Sequence, residues 1–114
     1  MHAHDVNRHD ASIRATCITL DRPVDAQALD RCIESMLMLW GPEMLRVKGI
    51  VNIAGLDRPM AIHGVQHSYH PPILLDAWPD ADRRSRIVFI TSNLNPKHLR
   101  AGFELFGMRP AIAA

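Results

Sequence analysis

The sequence predicts an α+β fold of two layers: a four-stranded, mostly antiparallel sheet with two helices on one face, in the order β-α-β-β-β-α. Three observations predict it. The run Met44-Leu45-Arg46-Val47-Lys48-Gly49-Ile50-Val51-Asn52-Ile53 alternates. Leu45, Val47, Gly49, Val51 and Ile53 point one way, Arg46, Lys48 and Asn52 the other, and only Ile50 breaks the pattern; period two with β-branched residues marks a half-buried strand. Ahead of it, apolar residues recur at helical steps from Leu29 to Trp40. After it, two more strand-like runs follow before any second helical pattern begins.

Residues 1–11 hold His2, His4, Asp5, His9 and Asp10 with almost no apolar content, and read as a polar arm. Ser12 to Leu20 is the first strand, with Ile13, Ala15 and Cys17 on its inward face and Arg14 and Thr16 opposite. Asp21-Arg22-Pro23 turns the chain, and Asp25 stands as an N-cap whose carboxylate can accept unpaired helix N–H groups. Ala26 to Trp40 is the first helix; Leu29, Cys32, Ile33, Met36, Leu37 and Trp40 form its apolar stripe. Gly41 is suited to a left-handed C-terminal residue, and Pro42 stops the helix. In the strand that follows, Gly49 leaves a gap where a helix backbone can approach.

Asp57-Arg58-Pro59 makes a turn, and Met60 to about Ser68 returns as a hairpin partner. Tyr69-His70-Pro71-Pro72 interrupts it, and Ile73-Leu74-Leu75 reads as a short edge extension. A charged loop with Trp78 leads to Ser85–Ser92, apolar at nearly every central position and therefore an interior strand. Asn95 and Pro96 open the last helix as N-cap and first-turn proline. Leu99, Gly102, Phe103 and Phe106 line it, and Gly107 closes it. The domain thus spans 12–107, and residues 108–114 form a tail with no assigned structure.

Bulk properties narrow the function. The chain has 114 residues, enough for one domain with its own core. Its 13 basic and 12 acidic residues are interspersed, for a net charge of +1, which argues against a nucleic-acid or polybasic membrane surface. No apolar run reaches bilayer length, and the polar N-terminus carries no secretory signal. Cys17 and Cys32 form no CxxC pair, so a reduced, cytoplasmic setting is the expectation.

Four groups of residues are candidates for function. His2, His4 and His9, with Asp5, offer donors for zinc, cobalt or nickel; the alternative is a solvated terminus. His63, His67 and His70 lie in or near the third strand. A regular strand would hold His63 and His67 ~13 Å apart, too far for one metal, so surface histidines are favoured there. Arg46 and Lys48 share a polar strand face that Arg14 could join, a partner surface or an ordinary solvated face. No exposed aromatics accompany them, which excludes a base-stacking RNA sheet. Trp78 is either a packing residue or a partner contact. Cys17 and Cys32 read as buried, inert thiols. No Ser-His-Asp pattern and no paired carboxylates suggest catalysis.

Several local patterns coincide in order. Ser12-Ile13-Arg14 precedes a strand and an Asp-capped helix, and Leu45-Arg46-Val47-Lys48-Gly49-Ile50-Val51 follows the helix. Then come Ile62-His63-Gly64-Val65-Gln66, the Trp78-Pro79 loop and Arg83-Arg84-Ser85-Arg86-Ile87-Val88-Phe89-Ile90. From about Asp5 to Phe106 the chain resembles the C-terminal domain of the CobW family of P-loop GTPases. That family comprises metallochaperones tied to cobalamin synthesis or to zinc. The phosphate-cradling GxxxxGK[ST] of such a GTPase is absent, and so is its CxCC metal motif. The resemblance therefore implies a non-catalytic accessory domain. It would contact a GTPase domain or client metalloprotein during metal delivery, with no cofactor of its own and with Arg14, Arg46, Lys48 and Trp78 as candidate contacts. A small metal-binding module that uses the N-terminal histidines for zinc, cobalt or nickel is the alternative. A homodimer through the sheet face or edge is also compatible with the pattern.

Overall fold

The computed structural model describes residues 12–66 and 68–112. Four long strands make the middle of one sheet: β1 (Ile13–Leu20), β2 (Met44–Val51), β3 (Met60–Val65) and β6 (Ser85–Ser92). Helix α1 (Ala26–Trp40) lies between β1 and β2 in the chain, and α2 (Pro96–Leu105) follows β6. The expected helices, their N-caps and the long strands are present, with the third strand shortened to Met60–Val65. The sheet, however, has seven strands where the sequence predicted four. β5 (Ile73–Leu74) is the short edge extension read at Ile73-Leu74-Leu75, and β4 (Ser68–Tyr69) and β7 (Pro110–Ile112) are additions. Runs of two or three residues carry no period to read. They form because the outer edges of β3 and β1 expose backbone groups that need partners. β4 and β5 pair with β3, and β7 pairs with β1. The tail left without assigned structure therefore partly completes the sheet.

The strand order is β4-β3-β2-β6-β1-β7, with β5 beside β3, and every named pair is antiparallel. β6 is interior, flanked by β1 and β2, as its apolar run predicted. One core joins α1 (Leu29, Cys32, Ile33, Met36, Leu37) and α2 (Leu99, Phe103) to Ile18, Leu20, Val47, Val51, Ile62, Ile87 and Phe89 of the sheet. Phe103 meets Phe89 edge to face, with ring centres 5.9 Å apart. The helices touch each other at Gly102, where an added Cβ would lie 2.8 Å from Met36 Sδ.

Caps explain where the helices start. Asp25 Oδ2 accepts from Ala28 N–H at 2.9 Å, and Asn95 Oδ1 accepts from Lys97 N–H at 3.0 Å. Gly107, at φ 81°, closes α2 in the left-handed region. Gly41 does not do so for α1: its φ is −48°. The chain instead leaves α1 through a tight turn, with Met44 N–H donating to Gly41 O at 3.2 Å, and Pro42 prevents further helix.

Three strand assignments change. In β1 the buried residues are Thr16, Ile18 and Leu20, while Ile13 and Ala15 are exposed and Cys17 is half-buried. The inward face is thus the opposite of the expected one, because the larger Ile18 and Leu20 outweigh Ala15 and Cys17 in apolar area. In β2 the pairing with β6 slips between Met44 and Arg46, so Leu45 is an extra residue. Met44 is buried in place of Leu45, which is half-buried. The gap at Gly49 receives strand β6, not a helix: an ideal Cβ would sit 2.7 Å from Ile87 Cα and against the Arg86 carbonyl oxygen.

The two thiols consequently differ. Cys32 is fully buried, its Sγ–H donating to Gly102 O at 3.6 Å, and burial pushes its pKa from 9.0 up to about 12. Cys17 lies on the other sheet face, half-buried. A thiol-reactive disulfide at pH 8 should therefore label Cys17 alone in the folded protein, and both thiols after denaturation. A three-unit rise cuts the Cys32 thiolate roughly a thousandfold. Two fast equivalents without denaturant would refute this burial.

Candidate functional site

Beyond the Leu45 bulge, β2 alternates strictly, and Arg46, Lys48 and Ile50 turn away from the core. On β6, Arg86, Val88 and Ile90 do the same. Register aligns them into cross-sheet rows. Val65, Arg46, Ile90 and Ala15 form one row, and His63, Lys48, Val88 and Cys17 form the next. Arg46, Lys48, Val88 and Ile90 line a shallow groove of about 290 Å³. Val88 is 39% exposed and Val65 43%. No described carboxylate pairs with Arg46 or Lys48 in this structure. The face thus combines exposed apolar side chains with two cations that have no carboxylate partner among the described residues.

The remaining arginines near β6 are spoken for. Arg84 forks onto Asp82, with Nε and Nη2 at 3.1 and 2.9 Å from its two carboxylate oxygens. Those bonds hold the Asp82 carboxyl down at about 2. Arg86 lies 3.7 Å from Asp80 and 3.8 Å from Asp82. Arg83 stands over the Trp78 ring, 5.5 Å from its centre.

The histidines at the edge of this face are arranged by a turn. Gln66 adopts φ 51°, which reverses the chain so that β4 pairs back on β3 as Gly64↔Tyr69 and Val65↔Ser68. His70 N–H then donates to His63 O at 2.9 Å, and the two imidazoles stand with ring centres 5.2 Å apart. A regular third strand through Ser68 is therefore not what forms. The turn joins His63 to His70, a pair that the sequence did not reveal. Partial desolvation, then His70, Arg46 and Lys48, lower the His63 pKa and favour its neutral form.

The candidate residues separate as follows. Arg46 and Lys48 lie together on the groove. Arg14 does not join them: it is in register with buried Thr91 and shares the parity of Thr16, so it belongs to the opposite face at the sheet end. Trp78 lines no part of the groove; its Nε1–H donates to Asp57 O at 3.1 Å and ties its loop to the turn after β2. His2, His4, His9 and His67 lie outside the described residues. Among the described residues no group of three or more His, Cys, Asp or Glu is placed to hold a metal, and no helix is long and apolar enough to cross a membrane. Val88 and Ile90 were missed as site residues. Their signal was present: a strand apolar at both parities has two faces to cover.

The cobalamin synthesis protein cobW C-terminal domain matches residues 13–106. The zinc chaperone YjiA of Escherichia coli (strain K12) is 30% identical over 100 residues, covering 88% of this chain. The solved structure of Zn(II)-bound YjiA GTPase from E. coli superposes with a TM-score of 0.74 at 30% identity, over 83% of this chain and 30% of that one. A Zn(II)-bound triple mutant of the YjiA GTPase gives 0.75 at 32% identity, over 86% and 30%. The chain spans about 31% of the length of the zinc chaperone. The match over nearly the whole described fold and the agreement in three dimensions have one reading: the chain belongs to the family of cobW C-terminal domains.

Proposed function

We propose that the chain is a non-catalytic accessory domain that docks through its open sheet face onto a GTPase domain or a client protein and takes part in metal delivery. The apolar strip of exposed Val88 and half-buried Ile90 on β6, beside Arg46 and Lys48 on β2 and with exposed Val65 beyond them on β3, carries this reading. Exposed apolar groups interspersed with cations are what a protein interface uses. The residues of both helices that enter the core pack with Ile87 and Phe89, of the opposite parity to Val88 and Ile90, which supports this side as the one open to a partner. The sequence contains neither GxxxxGK[ST] nor CxCC, so GTP hydrolysis and the family's cysteine site fall to a partner or to another part of such proteins. The zinc chaperone similarity favours zinc as the delivered ion, and the family name brings in cobalamin synthesis.

The test mixes the chain with the part of the E. coli zinc chaperone that it does not match, and follows association by calorimetry. Binding should appear and weaken with salt, because Arg46 and Lys48 contribute. Val88→Arg places a charge at the centre of the strip and should weaken binding roughly thirtyfold or more, the size of an interface hot spot. Its thermal stability should stay near that of the parent, since Val88 is already exposed. Undiminished binding by Val88→Arg would move the interface elsewhere.

A further inference from the structure

We infer that His63 and His70 form a two-imidazole site for one divalent transition-metal ion at the edge of the open sheet face. The backbone makes the pair. Extending the register Val65↔Ser68 and Gly64↔Tyr69 by one step sets His70 directly across from His63, and the His70 N–H to His63 O bond of 2.9 Å continues the ladder. Facing residues in an antiparallel pair hold their Cβ atoms ~5 Å apart, within reach of a shared ion.

The ring spacing fits co-ligation. With metal–nitrogen bonds of about 2.1 Å, each ring centre lies ~3.2 Å from the ion, and two such rings at a tetrahedral angle are ~5.2 Å apart. The observed separation is 5.2 Å with the ring planes 27° apart, so the spacing is already that of co-ligation and the stacked rings turn about their side-chain torsions to aim at one ion. A second observation points the same way. His63 Nε2 is shielded from solvent and has no hydrogen-bond partner among the described residues. A shielded imidazole nitrogen has lost its water without gaining a bond, and a metal ion supplies one. Imidazole donors select zinc, copper, nickel or iron over magnesium and calcium.

Two protein ligands leave the shell open, unlike the closed four-ligand shell of a structural zinc site. Lys48 is the cross-strand neighbour of His63, and Arg46 lies one row away. These cations weaken the hold on a bare dication and favour an anionic group in the open positions. The site is therefore suited to exchange of its ion with a carboxylate-bearing ligand, not to permanent storage. The inference does not depend on docking to a GTPase domain.

The experiment is titration of the 114-residue protein with Zn(II), and separately with Cu(II), after His2, His4 and His9 have been changed to alanine to remove the arm's imidazoles. One equivalent should still bind. Adding His70→Ala, at an exposed position, or His63→Ala should each weaken binding by ~10–100-fold, at least the loss seen when a metal ligand's supporting partner is removed. Circular dichroism confirms folding of each variant. Electron spin-echo spectra of the Cu(II) form should count two imidazoles in the parent and one in His70→Ala. Binding unchanged by both substitutions, a count of one in the parent, or no binding by the protein lacking the arm histidines would each overturn the site.

Discussion

Phe89→Ala is expected to lower the unfolding free energy by about 4 kcal/mol, the middle of the range for removing a buried phenylalanine. Phe89 is 1% exposed on the interior strand β6, between the registers of β1 and β2. Its ring meets Phe103 of α2 edge to face and belongs to the core that also contains the buried stripe of α1. Alanine would remove the transfer energy of the ring and leave a cavity that strands paired on both sides cannot close. A domain of this size has a total stability of ~5–15 kcal/mol, so the variant should retain a small remainder. Its Tm should fall by roughly 16 °C or more. Urea denaturation checks it: the midpoint should drop with little change in slope. A loss under about 1 kcal/mol would mean that α2 is not packed on the sheet through this residue.

Gly49→Ala should lose about 3 kcal/mol, and roughly 12–24 °C in Tm, although it adds only one methyl group. The added Cβ would meet the backbone of β6 at Ile87 Cα and the Arg86 carbonyl. Backbone in a central strand cannot swing aside as a side-chain tip can, so relief requires pulling β2 from β6. Gly55→Ala makes an informative comparison. Gly55 has φ 87° but open space around a Cβ, so alanine there should cost only the left-handed penalty of about 1 kcal/mol. Equal losses at the two positions would show that conformational preference, not the approach of β6, governs Gly49.

The open face was half legible in advance. Arg46 and Lys48 could be assigned to one strand face because period two is a local property, and the structure keeps them together on the groove. Arg14 could not be placed, because its face depends on which side of β1 the helices cover. Ile13, Ala15 and Cys17 alternate as well as Thr16, Ile18 and Leu20 do, so the pattern fits either face, and the reading of Ile13, Ala15 and Cys17 as inward is the one the structure reverses. Val88 and Ile90 were not singled out, because a strand apolar at both parities does not say which face joins the helices in the core; Ile87 and Phe89 do. The His63–His70 pair hinged on Gln66, a residue type with no strong preference for the positive φ it adopts.

The sequence by itself determined the features that act over a few residues. These are α1 with its Asp25 cap, α2 with its Asn95 cap and Gly107 stop, the four long strands, and the order of motifs that resembles the cobW C-terminal domain. Only the tertiary structure decided the inward face of β1, the bulge at Leu45, the short strands Ser68–Tyr69 and Pro110–Ile112, and the neighbours of Gly49 and His63. The physical reason is range. Caps, turns and periodicity are settled by groups a few bonds apart along the chain. A strand's buried face and edge partners are settled by backbone and side chains many residues away, which must meet before either choice has an energy.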